Sequence, residues 1–390
     1  MKSSIITLGT NPRNYWYFFS CTVCYIFRKF CFYNLEVGEF RIKPLTLIFL
    51  MSIGMMLSYF LELISRKLQI NKEADKSKKE PLQDNNIHKP LTTLHYSLFI
   101  LTLALLDGVG MFFVYFPLEF IQQAKINAES NKSETKPLID LIGTEHIYVL
   151  LELVFVSILS FFFLNKRLYR HHWFFSGIML IALVLVLFAN IGASIQIPPK
   201  FYCGIIASLF HSIYYVIYKY YMDKKFISIY LSLAIEGTVI FILSLLIGIF
   251  TRTTWALELN SYNVWLSIRF VLSSLGYNIF LLLLIRRFCP THKSVTGIFN
   301  AVLELIILLI IEDRYKYHSV FLMVIGDVIL MFGALGFNEI LILHKCNLDY
   351  DTENVINYRA ESEKNDLEVI ERKMSKIKIV QNKVGEEDDN

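Results

Sequence analysis

Ten long apolar runs follow one another along this chain, and short polar segments separate most of them. A helix needs ~20 mostly apolar residues to cross the ~30 Å hydrocarbon core of a bilayer, and these runs have about that length. Lipid cannot satisfy unpaired backbone amides, so each run is predicted to be a helix. The predicted spans are 14–32, 43–64, 93–117, 138–164, 172–192, 199–221, 226–250, 263–287, 291–311 and 318–344. This pattern predicts an all-α polytopic membrane protein with about ten transmembrane helices.

The composition agrees with this fold class and excludes others. Hydrophobic residues make up 55% of the 390 residues, more than a soluble protein of this size would bury. The net charge is only +4, so nucleic acid is not a predicted partner. The six cysteines are scattered, and Cys21 and Cys24 lie in an apolar run without a second ligand pair at zinc-binding spacing. Neither a metal site nor a cofactor is predicted.

The distribution of basic residues predicts the orientation of the spans. With a cytosolic N-terminus, the inner loops contain 16 Lys and Arg residues and the outer loops contain 9, as the positive-inside rule requires. The sequon at Asn131 then lies in an outer loop, where it could be glycosylated. Both termini are therefore predicted to be cytosolic. The first span contains Arg28 and Lys29, which leaves a nine-span protein as an alternative.

Two hydrophilic segments interrupt or follow the spans. Residues 65–92 are rich in Lys, Asp, Asn and Pro, which predicts a flexible cytosolic loop. Residues 345–390 form a hydrophilic cytosolic tail, in which apolar residues between 367 and 377 recur at the spacing of a short amphipathic helix. Neither segment is long enough to contain a soluble enzyme domain.

The chain also indicates an internal repeat. The fourth and fifth spans are joined by FFFLNKRLYRHHWF, and the ninth and tenth are joined by LLIIEDRYKYHSVF. Both segments contain a polar turn with Arg, Tyr and His. Because five spans make up each half, residues 1–192 and 193–344 are predicted to be two inverted repeats of five helices. Inverted repeats are typical of secondary transporters, in which the substrate site lies near the bilayer midplane.

Several of these segments resemble a known family. LNKRLYRHHW with the following FFSGIMLIALVLVLFA is similar to the hairpin of helices 4 and 5 in the drug/metabolite transporter superfamily, the EamA-like proteins. Glu236-Gly237 in the seventh span, Asn278, and the closing Gly333 to Asn338 resemble the solute carrier family 35 F-type and chloroquine-resistance-transporter-like proteins. The resemblance covers roughly 40–344 and implies transport by alternating access. The sequence departs from this pattern in its polar first helix and at the start of the ninth.

Charged residues inside the spans are candidates for the transport pathway, because each costs about 2.5–3.5 kcal/mol to insert. Asp107 precedes Gly108 and Gly110, which permit either close packing or local unwinding. Glu152 lies in the fourth span, which lines the cavity in the superfamily that the chain resembles. The predicted substrate or proton-pathway residues are Asp107, Glu152, Glu236, Asn278, Asn300 and Glu304.

These candidates predict the kind of solute. Most mid-span charges are acidic, which favours an acidic central cavity for a cationic or neutral amphiphilic solute, with proton coupling through a carboxylate. The predicted function is therefore a secondary transporter of a small organic solute in an endomembrane, either lysosome or vacuole, or Golgi.

Three alternatives are open. One is a nucleotide-sugar antiporter, in which Lys219 and Arg269 would bind phosphates. Another is a non-transporting scaffold that works through its tail, whose partner the sequence does not identify. An enzyme is not predicted, since no metalloprotease, hydrolase or P-loop motif is present. The solute and the lipid bilayer are the predicted partners, and a homodimer is an oligomeric state that the sequence leaves open.

Overall fold

Ten helices and two short strands make up the part of the chain that the computed structural model describes, which comprises residues 6–8, 15–37, 44–76, 93–115, 137–164, 168–191, 199–224, 228–250, 261–311, 317–343 and 352. The helices are α1 (Tyr15–Val37), α2 (Pro44–Lys76), α3 (Thr93–Tyr115), α4 (Pro137–Leu164), α5 (Arg170–Ile191), α6 (Pro199–Lys224), α7 (Ile229–Phe250), α8 (Ser261–Arg287), α9 (Pro290–Ile311) and α10 (Tyr317–Phe337). The strands are β1 (Ile6–Leu8) and β2 (Leu341–Leu343).

Each helix overlaps one of the predicted spans. Among the described residues, four segments are long and apolar enough to cross a membrane: Leu45–Leu68, His95–Tyr115, Ile229–Phe250 and Tyr262–Arg287. Shorter apolar segments form part of α4, α5 and α10. Large apolar side chains such as Phe162, Phe188 and Phe250 are exposed, as expected where a helix faces lipid. The architecture is that of a helical protein consistent with a membrane location.

Two predicted boundaries differ from the structure. Helix α2 continues to Lys76, so the start of the predicted flexible loop 65–92 is helical. The stretch 65–76 has neither Pro nor Gly, and it contains three Lys together with Arg, Leu, Gln, Glu and Ala, all of which favour helix. The rest of that loop, the glycosylation candidate Asn131 and the predicted tail helix between 367 and 377 lie outside the described residues.

The last span ends earlier than the predicted residue 344. Helix α10 stops at Phe337, and Glu339 adopts a left-handed conformation with φ of 55°. The amide of Ile340 donates to the carbonyl of Leu335 at 3.0 Å, and the amide of Glu339 donates to the carbonyl of Gly336 at 3.1 Å. This pair of bonds is a Schellman motif, which closes the last turn of the helix. The chain then enters β2.

The described residues form two units. The smaller unit contains Met1–Thr10, Leu168–Ser176 and Leu335–Asn390. Within it, β1 pairs antiparallel with β2, and Ile6 lies opposite Leu343.

The larger unit, Asn11–Arg167 with Gly177–Ala334, is a helical bundle in which helices distant in sequence make contact. Helix α2 packs against α7 and α8, α1 against α8 and α9, and α6 against α3 and α4. Helix α3 also contacts α7, and α4 contacts α9. Fully buried Met55, Leu103, Leu153, Ile240 and Phe270 contribute to the apolar interior of this bundle.

Helices α2 and α7 approach each other closely at Gly237. A Cβ atom on Gly237 would lie 2.6 Å from Cβ of Met55, 2.8 Å from the amide nitrogen of Met56 and 2.8 Å from the carbonyl oxygen of Ser52. Two of these atoms belong to the backbone of α2 and cannot rotate away. A glycine is therefore required for this packing, as at close helix contacts in membrane proteins generally.

We expect Gly237→Ala to destabilise the bundle by about 1–3 kcal/mol, because overpacking forces the two backbones apart. The measurement is the thermal unfolding midpoint of the purified protein in detergent. Gly177→Ala is the matched control, since a Cβ there meets nothing within 4 Å. An equal effect of both substitutions would contradict the close-packing explanation.

Candidate functional site

The larger unit encloses a cavity of about 180 Å³ that reaches eight of its helices. Aromatic and methionine side chains form most of the wall, and a few polar and charged groups interrupt it. The charged and amide groups in the lining are Arg28, Lys29, Asp107, His211, Asn278, Lys293 and Asn300. An apolar wall with a few convergent polar groups is the usual form of a site for a small organic molecule.

A buried ion pair lies at the cavity between α9 and α4. The Nζ atom of Lys293 donates to both carboxylate oxygens of Glu152 at 2.5 Å, and both residues are buried. Ser294 also donates to Glu152, at 3.3 Å, and Lys293 lies 4.5 Å from the centroid of the Tyr215 ring. Glu152 is fully buried, so this pairing offsets the cost of removing its carboxylate from water.

A second polar chain runs across α4, α6 and α3. Tyr148 shares a hydrogen bond with Nδ1 of His211, and Nε2 of His211 lies 3.4 Å from Oδ1 of Asp107. Asp107 lies close enough to Glu236 for the two carboxylates to interact, and Oε2 of Glu236 accepts a bond of 3.2 Å from the Tyr214 hydroxyl. Two carboxylates, one imidazole and two tyrosine hydroxyls therefore lie close together in this part of the bundle.

Helix α3 remains continuous through Asp107, so the glycines that follow do not unwind it. Gly110 serves close packing instead. A Cβ atom on Gly110 would lie 2.5 Å from Nε2 of His211. Because Gly110 has no side chain, it leaves the space on α3 in which the imidazole of His211 reaches Asp107.

Helix α1 contributes two cations to the cavity wall. The guanidinium of Arg28 lies 4.1 Å from the centroid of the Tyr277 ring and 5.4 Å from that of Tyr25. Lys29 lies 5.7 Å from the centroid of the Phe32 ring. Aromatic faces stabilise a cation without neutralising it. Among the described residues, no carboxylate forms a salt bridge with Arg28.

Two amides in the wall have polar atoms available for a solute or for water. In the part of the chain that the structure describes, neither side-chain atom of Asn300 has a hydrogen-bond partner, nor has Nδ2 of Asn278. Both residues are buried, and unpaired buried amides are costly in a protein interior. A bound polar molecule in the cavity would satisfy them.

The structure brings most of the predicted site residues together. Asp107, Asn278 and Asn300 line the cavity, while Glu152 and Glu236 pair with the lining residues Lys293 and Tyr214. Glu304 lies on α9, but its side chain is outside the described part of the chain.

Sequence reasoning missed the basic side of the site. Arg28 and Lys29 were reasons to doubt the first span, yet both line the cavity. Lys293 was counted with the basic residues of an inner loop although it falls within the predicted span 291–311, and it pairs inside the bundle. The lining contains three such cations and one carboxylate, which differs from the expected acidic cavity. The available signal was the presence of charges within long apolar runs, which require a partner.

Lys219 and Arg269, the alternative phosphate ligands, lie elsewhere. Lys219 donates to the carbonyl of Arg286 at 3.0 Å and pairs with Asp223, so it stabilises helix ends. Arg269 is exposed and lies 4.9 Å from the centroid of the Trp265 ring. Neither lines the cavity.

Comparisons with known proteins bear on the fold. No protein-family model and no curated protein matches the chain. A solved structure, named only as the crystal structure of a protein, matches with a TM-score of 0.54 at 12% identity and covers 84% of this chain and 96% of that one. At this identity the likeness shows the fold alone, and the printed name gives no function.

We expect Glu152→Gln to destabilise the protein by about 3–5 kcal/mol, because it leaves the buried ammonium of Lys293 without its counter-charge. The thermal unfolding midpoint in detergent measures this loss. Asp223→Asn is the control, since the pair of Asp223 with Lys219 is half exposed and contributes at most about 1 kcal/mol. Similar small losses in both variants would contradict a structural role for the buried pair.

Proposed function

We propose that this protein is a secondary transporter that moves a small organic solute with an anionic group across a membrane by alternating access. One observation carries the proposal: a cavity inside an apolar helical bundle is lined by three cations and by amides with unpaired polar atoms. Charges at this depth are costly and are retained mainly where they bind or move something.

The packing of the helices supports two inverted repeats of five. If each helix is replaced by its counterpart five helices away in chain order, the contact of α1 with α8 becomes the contact of α6 with α3. The same operation relates α2–α8 to α7–α3 and α4–α6 to α9–α1, and it leaves α2–α7 and α4–α9 unchanged. Two halves related by a twofold axis give this pattern, and five spans per half give them opposite orientations.

The position of the cavity supports alternating access. In the two-repeat arrangement its lining comes from both halves, with Arg28 and Asp107 on the first and Asn278 and Lys293 on the second. The ion pair of Glu152 with Lys293 also joins α4 of one half to α9 of the other. A solute bound at such an interface is exposed to either side when the halves rock about it.

The charges favour an anionic group on the solute. Lys293 is neutralised by Glu152, whereas Arg28 rests against aromatic rings that leave its charge and its hydrogen-bond donors available. A planar guanidinium binds carboxylate or phosphate through two parallel hydrogen bonds. This chemistry replaces the cationic solute that the acidic mid-span residues had suggested. It also favours the alternative of nucleotide-sugar antiport, which is the second candidate.

The chain of polar groups from Tyr148 through His211 and Asp107 to Glu236 supports proton coupling. A proton shared among these groups removes the repulsion between two adjacent buried carboxylates. Titratable groups that face Asp107 across this site include His211, Glu236 and the tyrosines of α4 and α6. We further propose an endomembrane location, on the basis of the sequon at Asn131 and the family resemblance, with both termini in the cytosol, on the basis of the positive-inside count.

We expect Arg28→Gln to weaken solute uptake by about 10- to 100-fold, because a charge-assisted bidentate contact contributes about 1.5–3 kcal/mol. The assay uses liposomes containing the purified protein and a panel of labelled carboxylates, organic phosphates, nucleotide sugars and polyamines. Arg269→Gln is the control because that guanidinium lies outside the cavity. Uptake of polyamines alone, or equal uptake by both variants, would contradict the anionic class. Counterflow restricted to nucleotide sugars would select the antiporter.

We expect Asp107→Asn to abolish solute-driven proton movement while solute counterflow continues, because the neutral amide can bind no proton but preserves the shape of the site. A pH-sensitive dye inside the liposomes reports the proton flux. Ser157→Ala, a change to a hydroxyl that bonds its own helix on α4, is the control. Unchanged proton flux in Asp107→Asn would remove proton coupling from the mechanism and leave the transport proposal intact.

A further inference from the structure

The smaller unit contains three metal-ligating side chains that the proposed transport does not use. His171 and His172 lie in the first turn of α5, and Glu339 follows the end of α10. One ligand atom from each residue lies within 4.8 Å of the others. Nε2 of His171 is 3.0 Å from Oε1 of Glu339, and the two imidazole centroids are 4.0 Å apart.

The burial of His171 distinguishes this cluster from a surface contact. His171 is 2% exposed, and its Nδ1 atom has no hydrogen-bond partner among the described residues. A cation between the three groups would coordinate both imidazoles and the carboxylate.

The backbone of Glu339 is a second and independent observation. Its φ of 55° lies in the left-handed region that glycine adopts without penalty at this position of a Schellman motif. A residue with a side chain that occupies a strained backbone conformation, where glycine would fit better, points to a role for that side chain. Here the strained turn directs the carboxylate to His171.

We propose that His171, His172 and Glu339 bind a divalent transition-metal ion, with Zn²⁺ as the expected ion. Two imidazoles and one carboxylate form a known zinc ligand set, and a water molecule completes the tetrahedron. Zinc bonds of ~2.0–2.2 Å place tetrahedral ligand atoms about 3.4 Å apart, and the ligand atoms here lie between 3.0 Å and 4.8 Å from one another, so the cluster needs only a small rearrangement.

His172 is the ligand that must adjust. Its Nδ1 atom now accepts a hydrogen bond of 3.2 Å from the amide of Tyr169. A neutral imidazole has one lone pair, so metal binding through His172 replaces this bond. The bound ion would fasten the start of α5 to the turn after α10, and it would neutralise the carboxylate of Glu339. This site is independent of the proposed transport function.

The test uses the full-length protein in detergent, purified without a polyhistidine tag, with Co²⁺ and Zn²⁺ as probes. We expect one equivalent of Co²⁺ to give the visible absorption of four-coordinate cobalt and Zn²⁺ to displace it. Glu339→Gly suits the left-handed turn but lacks the ligand, and we expect it to weaken binding by at least about tenfold, as should His171→Asn. His95→Asn on α3 is the control and should bind as the wild type does.

Thermal unfolding separates a metal site from an ion pair. Zn²⁺ should raise the unfolding midpoint of the wild type and of His95→Asn, but not that of Glu339→Gly or His171→Asn. The proposal is overturned if the wild type neither binds Co²⁺ nor responds to Zn²⁺, even where the variants are less stable, because the residues then form an ion pair only. Binding by Glu339→Gly at wild-type affinity would overturn it as well.

Discussion

Pairing of buried charge is the constraint on which the rest of this bundle depends. The interior of the larger unit is apolar, yet it contains Glu152 and Lys293 in direct contact. Either ion alone would cost several kcal/mol to bury, so α4 and α9 must remain together for both to be tolerated. The pair therefore holds α4 and α9 together at the cavity, where the hydroxyl of Ser294 donates to Glu152 and the ring of Tyr215 lies beside Lys293.

Aromatic rings and glycines make this arrangement possible in different ways. Tyr25 and Tyr277 hold the guanidinium of Arg28 without cancelling its charge, which keeps it available at the cavity wall. Gly110 and Gly237 remove side-chain bulk where an imidazole or a neighbouring backbone must approach. The chain thus combines a weakly neutralised cation with close helix packing, and the two together produce a small polar cavity in an apolar protein.

The two units differ in how they satisfy polar groups. In the larger unit, side chains such as Tyr148, His211 and Asp107 bond one another across helices. In the smaller unit, the backbone does much of this work through the Schellman turn and the pairing of β1 with β2. A strained Glu339 is retained there beside His171, a combination that neither helix propensity nor hydropathy explains and that metal binding would.

The sequence by itself determined the ten helices. Apolar runs of ~20 residues must satisfy their backbone amides internally, and few structures other than a helix can do so. It also identified Asp107, Glu152 and Glu236 as exceptional, since each carboxylate interrupts an apolar run. It could not supply their partners: Lys293 is 141 residues from Glu152, and a contact at that separation leaves no local pattern. Only the tertiary structure decided that Arg28, Lys29 and Lys293 line the cavity, and so reversed its expected charge, because packing decides which charges meet.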